Sequence, residues 1–295
     1  MNEQKLSYRI FDVSDPKAVV FTVHGMQEHK GRYEALASCL NKHQIACINY
    51  DLPGHGETAG NEENKGWFGE NNGWKALVDS AADIALIARK KYPDAPVVYF
   101  GHSMGTMVGR VFLQNYDLLI DAMILSGAPN YNPGCRVGLA VADAEAKRKG
   151  KRGHSKLLDK LATGSFNQGI KDPRTELDWL SYNTDNVDKY IADEWCGFPF
   201  TIQGYHDLFT LMVKMNDTSL YRCMNPDIPI LFFAGEDDPC TGGEKGLKKS
   251  IRTLKDAGYD KIDTKIWPYM RHETMHEDDA PAVMEYAAEW ITKNV

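Results

Sequence analysis

Short runs of apolar, β-branched residues alternate along the chain with longer segments in which apolar side chains recur every three or four positions. The runs Val19–Val23, Ile45–Tyr50, Val97–Phe100, Ala122–Leu125 and Ile228–Phe233 predict buried strands, and Ile262–Trp267 predicts another. Tyr33–Lys42, Trp74–Lys91, Met104–Asn115, Gly243–Ala257 and Pro281–Lys293 carry the helical period. Lys5–Val13 predicts an antiparallel edge strand ahead of them. Such alternation predicts an α/β fold, a mostly parallel sheet with helices on both faces. The pattern stops at about residue 130, where the chain turns helix-rich, and resumes at Ile228. A pattern that resumes points to an insertion rather than to two domains in tandem. The expected division is an α/β core of residues 1–129 and 226–295, with residues 130–225 as an inserted helical cap.

Composition narrows the functions this fold can carry. With 43% hydrophobic and 25% charged residues, the 295-residue chain can bury a sizeable core. Its net charge of −7 lacks the electropositive field of nucleic-acid binders, so no nucleic-acid partner is expected. No apolar run approaches the roughly 18 residues of a membrane span. Met1–Ile10 carries Glu3 and Lys5 and no apolar stretch, unlike a signal peptide. Cys39, Cys47, Cys135, Cys196, Cys223 and Cys240 are scattered without CxxC pairs and read as buried thiols rather than disulfides or a zinc site. A cytoplasmic protein without metal or cofactor is the expectation.

The candidate chemistry lies in the loops. Gly101-His102-Ser103-Met104-Gly105 is a G-x-S-x-G, a pattern chance supplies about 0.1 times in a chain this long. Its placement, directly after a predicted strand and before a predicted helix, is that of a nucleophile elbow, with Ser103 exposed on a tight turn. Two backbone amides are expected to form the oxyanion hole: Met104 at the helix start, and Met26 after the strand that ends in His24-Gly25. The run Gly235-Glu236-Asp237-Asp238-Pro239 brings three adjacent acids after another strand. Asp238 is favoured because a residue before proline is held extended; Asp237 is the alternative. His272, in the loop after the last strand, is the expected base, and His276 is expected to be solvated or capping. His24, His55 and His102 are expected to be structural.

Taken together, these residues resemble the monoacylglycerol lipase and lysophospholipase-like branch of the α/β-hydrolases. The matching stretches are His24 to Tyr33, Asp51-Leu52-Pro53-Gly54-His55-Gly56, Gly101 to Gly105, and Gly235 to Asp238 with His272. They cover the core, roughly residues 5–129 and 226–295, and imply an α/β-hydrolase fold. The family's Gly-x-x-Asp spacing also favours Asp238. The resemblance places Glu28 and Arg32 near the oxyanion loop, either orienting the polar part of a substrate or pairing with each other as a brace.

Within the cap, Phe198, Phe200, Phe209 and Met212 belong to an apolar stretch, Cys196–Met215, expected to contribute both core and an acyl-binding wall. Arg136–Lys160 holds eight Lys or Arg against three acids, a solvated basic face able to approach anionic lipid surfaces transiently. The leading expectation is a serine carboxylic-ester hydrolase acting on small-molecule, single-chain acyl esters such as monoacylglycerols or lysophospholipids. A serine peptidase or amidase and a small-ester carboxylesterase are the alternatives on the same scaffold. A non-enzymatic binding module is disfavoured by the complete Ser, Asp, His set.

Overall fold

The computed structural model describes residues 5–295, so Met1 to Gln4, part of the N-terminal stretch read above as no signal peptide, lie outside the described residues. The first half runs β1 (Tyr8–Phe11), β2 (Ala18–Val23), α1 (Glu34–Lys42), β3 (Ile45–Tyr50), the single turn α2 (Gly56–Ala59), α3 (Gly73–Lys91), β4 (Val97–His102), α4 (Met104–Tyr116) and β5 (Ala122–Ser126). Then come α5 (Cys135–Lys149), α6 (Lys156–Thr163), α7 (Thr184–Ala192) and α8 (Ile202–Met215), and finally β6 (Ile230–Gly235), α9 (Gly243–Asp256), β7 (Ile262–Trp267) and α10 (Ala280–Asn294).

The seven strands form one sheet in the order β1-β3-β2-β4-β5-β6-β7. Only β1 is antiparallel, lying against β3 at the edge. Side chains alternate between two covered faces, so the central strands are buried throughout. On β2, Val19, Phe21 and Val23 face the core shared with α3 and α4, whereas Ala18 and Val20 face α1 and α10. β7 corrects the expectation of a buried strand. It closes the sheet as its far edge, and Asp263, Thr264 and Ile266 are exposed.

Between β5 and β6 the chain holds helices only, and it divides into two parts by its packing. Helix α8 lies against α3 and α4, and Phe200, Tyr205, Leu208, Phe209 and Leu211 merge with the main hydrophobic core. Helix α5 approaches α8 closely at Gly138, where a Cβ would sit 2.6 Å from the Phe209 ring. Leu158 of α6 and Cys135 and Ala142 of α5 join the same core, whereas Trp179, Leu180, Tyr190 and Cys196 form a small separate cluster, completed by Cys240 from the loop after β6. All six cysteines are free thiols. Among the described residues, no helix is long and apolar enough to cross a membrane.

Candidate active site

Loops at the carboxyl ends of the parallel strands converge on one place, as expected of an open α/β sheet. β4 ends at His102 and α4 begins at Met104, leaving Ser103 alone on the turn with φ 50° and ψ −116°. A non-glycine residue there carries a strain of about 1–3 kcal/mol. Close packing holds it. The Ser103 amide donates to the Ser126 carbonyl at 3.0 Å. A Cβ on Gly105 would lie 2.0 Å from the Val23 carbonyl oxygen, so only glycine lets α4 approach β2 this closely.

His272 is buried, and its Nδ1 lies 3.0 Å and 3.1 Å from the two carboxylate oxygens of Asp238. Asp238 is itself fixed by the Cys240 amide, which donates to Oδ1 at 2.8 Å. Burial alone would lower the His272 pKa, but the Asp238 carboxylate offsets it and holds the imidazole well above its ordinary value. The other nitrogen, Nε2, is buried without a hydrogen-bond partner among the described residues, and His272 and Ser103 line the same cavity. Asp237 points elsewhere: it is exposed and accepts from the Tyr182 hydroxyl at 2.9 Å.

Met104 is the first residue of α4, where an amide has no intrahelical acceptor. Met26 lies between the Gly25 amide, which donates to Glu28, and the Gln27 amide, which donates to His55. Both Met26 and Met104 line the cavity.

Glu28 and Arg32 pair, and the pair is larger than the sequence suggests. Arg32 donates to Glu28 at 2.8 Å, to both oxygens of Glu273 at 2.5 and 2.7 Å, and to Asn186 of α7 at 3.1 Å. Burial works to raise the Glu28 pKa, but the Arg32 guanidinium overrides this and holds it at about 2. Glu273 is likewise lowered by Arg32 against its burial. Glu28 and Glu273 line the cavity, whereas Arg32 does not and serves as the brace behind them.

The expected structural histidines do hold loops: His24 Nε2 accepts from the Leu52 amide at 3.0 Å, and His55 stacks on Phe68. Burial, with the neighbouring His272, pushes His102 down to about 4, so it stays neutral. His276 is neither solvated nor a cap; it is partly buried and its Nε2 bonds the Arg32 carbonyl oxygen at 3.1 Å.

The cavity measures about 620 Å³. Of the four apolar cap residues expected in its wall, Phe209 and Met212 line it. Phe198 and Phe200 do not. They precede α8, and their rings close on His55 at 5.3 Å each, Phe200 also meeting Phe68. Leu161, Phe166, Leu177 and Trp179 take their place. Trp179 packs on the His272 ring at 5.0 Å, a contact no local motif announces. Its segment is tied down by Glu277, which accepts from Ser181 Oγ and from the amides of Tyr182, Asn183 and Arg271 at 2.7 to 3.0 Å. The Glu273 amide donates to the Leu180 carbonyl beside it.

The fold also gathers possible metal ligands that are far apart in sequence: His29, Asp193 and Cys196 lie within 4.8 Å of one another. There the Gly31 amide donates to His29 Nδ1, which places the proton on Nε2 and directs it to Asp193, leaving no lone pair for an ion. Asp238, Cys240 and His272 form a similar group, with Nδ1 already engaged by Asp238.

A family model described as serine aminopeptidase, S33 (Hydrolase_4) matches residues 14–279. The chain is 25% identical to a monoacylglycerol lipase of Mycolicibacterium smegmatis, over 97% of this chain and 93% of that one. It is 28% identical to the monoglyceride lipase of Rattus norvegicus, over 60% and 52% respectively. A carboxyl esterase from Bacillus coagulans, solved in complex with glycerol, superposes with a TM-score of 0.90 at 26% identity, covering 98% of this chain and 94% of that one.

Proposed function

This chain belongs to the serine aminopeptidase S33 (Hydrolase_4) family of α/β-hydrolases, and on that footing we propose that it is a serine carboxylic-ester hydrolase for single-chain acyl esters. The observation that carries this reading is the His272–Asp238 pair with a free Nε2 in the cavity that Ser103 opens into. In this mechanism His272 takes the Ser103 proton as the hydroxyl attacks the ester carbonyl. The amides of Met26 and Met104 stabilise the oxyanion. The alcohol leaves with the proton from His272, and water then releases the acyl group from Ser103 by the same steps. Asp238 keeps the imidazole in the required tautomer and stabilises its charged form.

The walls support an acyl substrate. Residues 130–225 act as a cap over Ser103, with Phe166, Leu177, Trp179, Phe209 and Met212 offering an apolar channel for one chain. Each buried CH₂ contributes about 0.8 kcal/mol, so kcat/KM is expected to rise up to about fourfold per CH₂ until the channel is filled. Monoacylglycerols are expected to react much faster than triacylglycerols, whose two further chains have no channel. A panel of chain-matched esters tests both points. Comparable rates on triacylglycerols, or a steady fall beyond acetyl esters, would contradict the acyl channel.

The family description raises an aminopeptidase as the second reading. An aminopeptidase needs a carboxylate for the substrate ammonium group. The two glutamates in the cavity have none to offer: all four oxygens of Glu28 and Glu273 are engaged by Gly25, Tyr33, Arg32 and Asn186. Hydrolysis of aminoacyl anilides at ester-like rates would reverse this preference.

The cap is also suited to brief contact with a lipid surface. Helix α6 exposes Leu157 and Leu161 beside Lys156 and Lys160, and Leu161 reaches the cavity. Replacing Leu157 with Ser is expected to lower the rate on aggregated substrate several-fold while sparing the same ester below its aggregation threshold. An equal loss on both forms would rule out a surface role.

A further inference from the structure

A second cavity of about 250 Å³ adjoins the first, sharing Asn130, Tyr131, Pro133 and Lys249 as walls. Its lining includes Arg110 of α4 and Ser250 of α9. Arg110 is 3% exposed, yet its guanidinium bonds only neutral oxygens. Nε donates to the Thr106 carbonyl at 3.2 Å, and Nη2 to the Pro129 carbonyl at 2.8 Å and Thr106 Oγ1 at 3.4 Å. No carboxylate among the described residues pairs with Arg110 or Lys249. Ser250 is 4% exposed, and its Oγ has no hydrogen-bond partner among the described residues. A buried cation without a counter-charge is costly, as is a buried hydroxyl without a partner. A phosphate group answers both, because it offers the guanidinium charged acceptors and gives the hydroxyl a bond.

We propose that this annex is an anion site that takes the phosphate of a phosphate-bearing acyl ester while the ester bond lies at Ser103; the substrate half of the proposal rests on the ester-hydrolase reading. The spacing suits it. Arg110 follows Ser103 by seven residues on α4, a rise of about 10 Å, but its side chain folds back onto Thr106, at about half that height. A phosphate on the third glycerol carbon is one extended glycerol away from the ester carbonyl, which matches that reach. Outside the annex, α9 exposes Lys245 beside Lys248 and Arg252, the latter two paired with Glu244 and Asp256. A 1-acylglycerol 3-phosphate is the substrate this arrangement selects.

Two measurements separate the site from its occupant. Inorganic phosphate titrated calorimetrically into the wild-type chain is expected to bind saturably. Ser250→Ala and the more exposed Lys249→Gln are each expected to weaken it about tenfold, and Arg110→Met to abolish it. Absence of saturable binding, or unchanged affinity in both Ser250→Ala and Lys249→Gln, overturns the annex whether or not any ester is hydrolysed. The second measurement is the ratio of kcat/KM for 1-acylglycerol 3-phosphate over the chain-matched 1-acylglycerol, which Lys249→Gln is expected to lower about tenfold. An unchanged ratio, with phosphate still bound, assigns the annex to free phosphate and overturns the substrate half. Turnover of neither ester by the wild type sinks the ester-hydrolase reading, and the substrate half with it.

Discussion

Treatment with an activated phosphonate is expected to leave one adduct per chain, at Ser103, and Ser103→Ala is expected to lose on the order of 10⁶ in kcat. The magnitude follows from the elbow. Ser103 is held on a strained turn, half-buried at the cavity floor, with the α4 N-terminus behind it. An alanine there keeps the turn but removes the only atom that can form the acyl intermediate. Intact-mass spectrometry with peptide mapping reads the adduct, and single-turnover kinetics read the loss. An adduct at another residue, or near-normal turnover by the Ala variant, would reject the mechanism. The fold should survive the change, so an unaltered thermal transition serves as the control.

The second large effect separates two neighbouring acids. Asp238→Asn is expected to lower kcat by about 10⁴, because an amide no longer holds Nδ1–H and the imidazole takes the wrong tautomer. Its partner geometry leaves little slack: His272 Nδ1 lies within hydrogen-bond distance of both carboxylate oxygens, and the Cys240 amide pins one of them. Asp237→Asn is expected to stay within about threefold of wild type, as for other exposed substitutions. Its carboxylate accepts from the Tyr182 hydroxyl rather than from His272. If the two variants exchanged behaviour, Asp237 would be the working acid. The pH profile adds a sign. His272 must be neutral to accept a proton, so activity falls as pH drops through its pKa, which Asp238 raises. Removing that carboxylate lowers the pKa, and the residual activity of Asp238→Asn should persist to lower pH than that of the wild type.

What the sequence disclosed was whatever is local. The elbow is legible because strand, Gly-x-Ser-x-Gly and helix follow one another without a gap, and the close packing around the turn requires those glycines. The sheet order is not, because β3 lies between β1 and β2 only through long-range pairing. The apolar ends of β7 suggest a buried strand, but Asp263, Thr264 and Lys265 interrupt the run, a pattern suited to the edge it occupies. In the cap, amphipathic spacing marks Phe198, Phe200, Phe209 and Met212 as packed but does not say against what. His55 and Phe68 claim the first two, and the cavity receives the others. Glu273 was invisible as the partner of Arg32, since 241 positions separate them. The only hint was its place directly after His272.

The grip of Glu277 on residues 181–183 bears on how this enzyme can be re-engineered. The natural seams for exchanging the cap lie after β5 and before β6, yet a graft at those seams would discard Trp179, the Leu180 carbonyl and three of the groups that Glu277 binds. The histidine loop would then lose its roof and its anchor together, and a chimera could fail for reasons unrelated to its new pocket. Leaving residues 177–186 native and exchanging only residues 135–163 changes Leu161 and helix α6 while the loop that carries His272 keeps every contact described here. In this architecture the donor sequence for a new specificity is the outer helical pair, and the inner segment travels with the catalytic core.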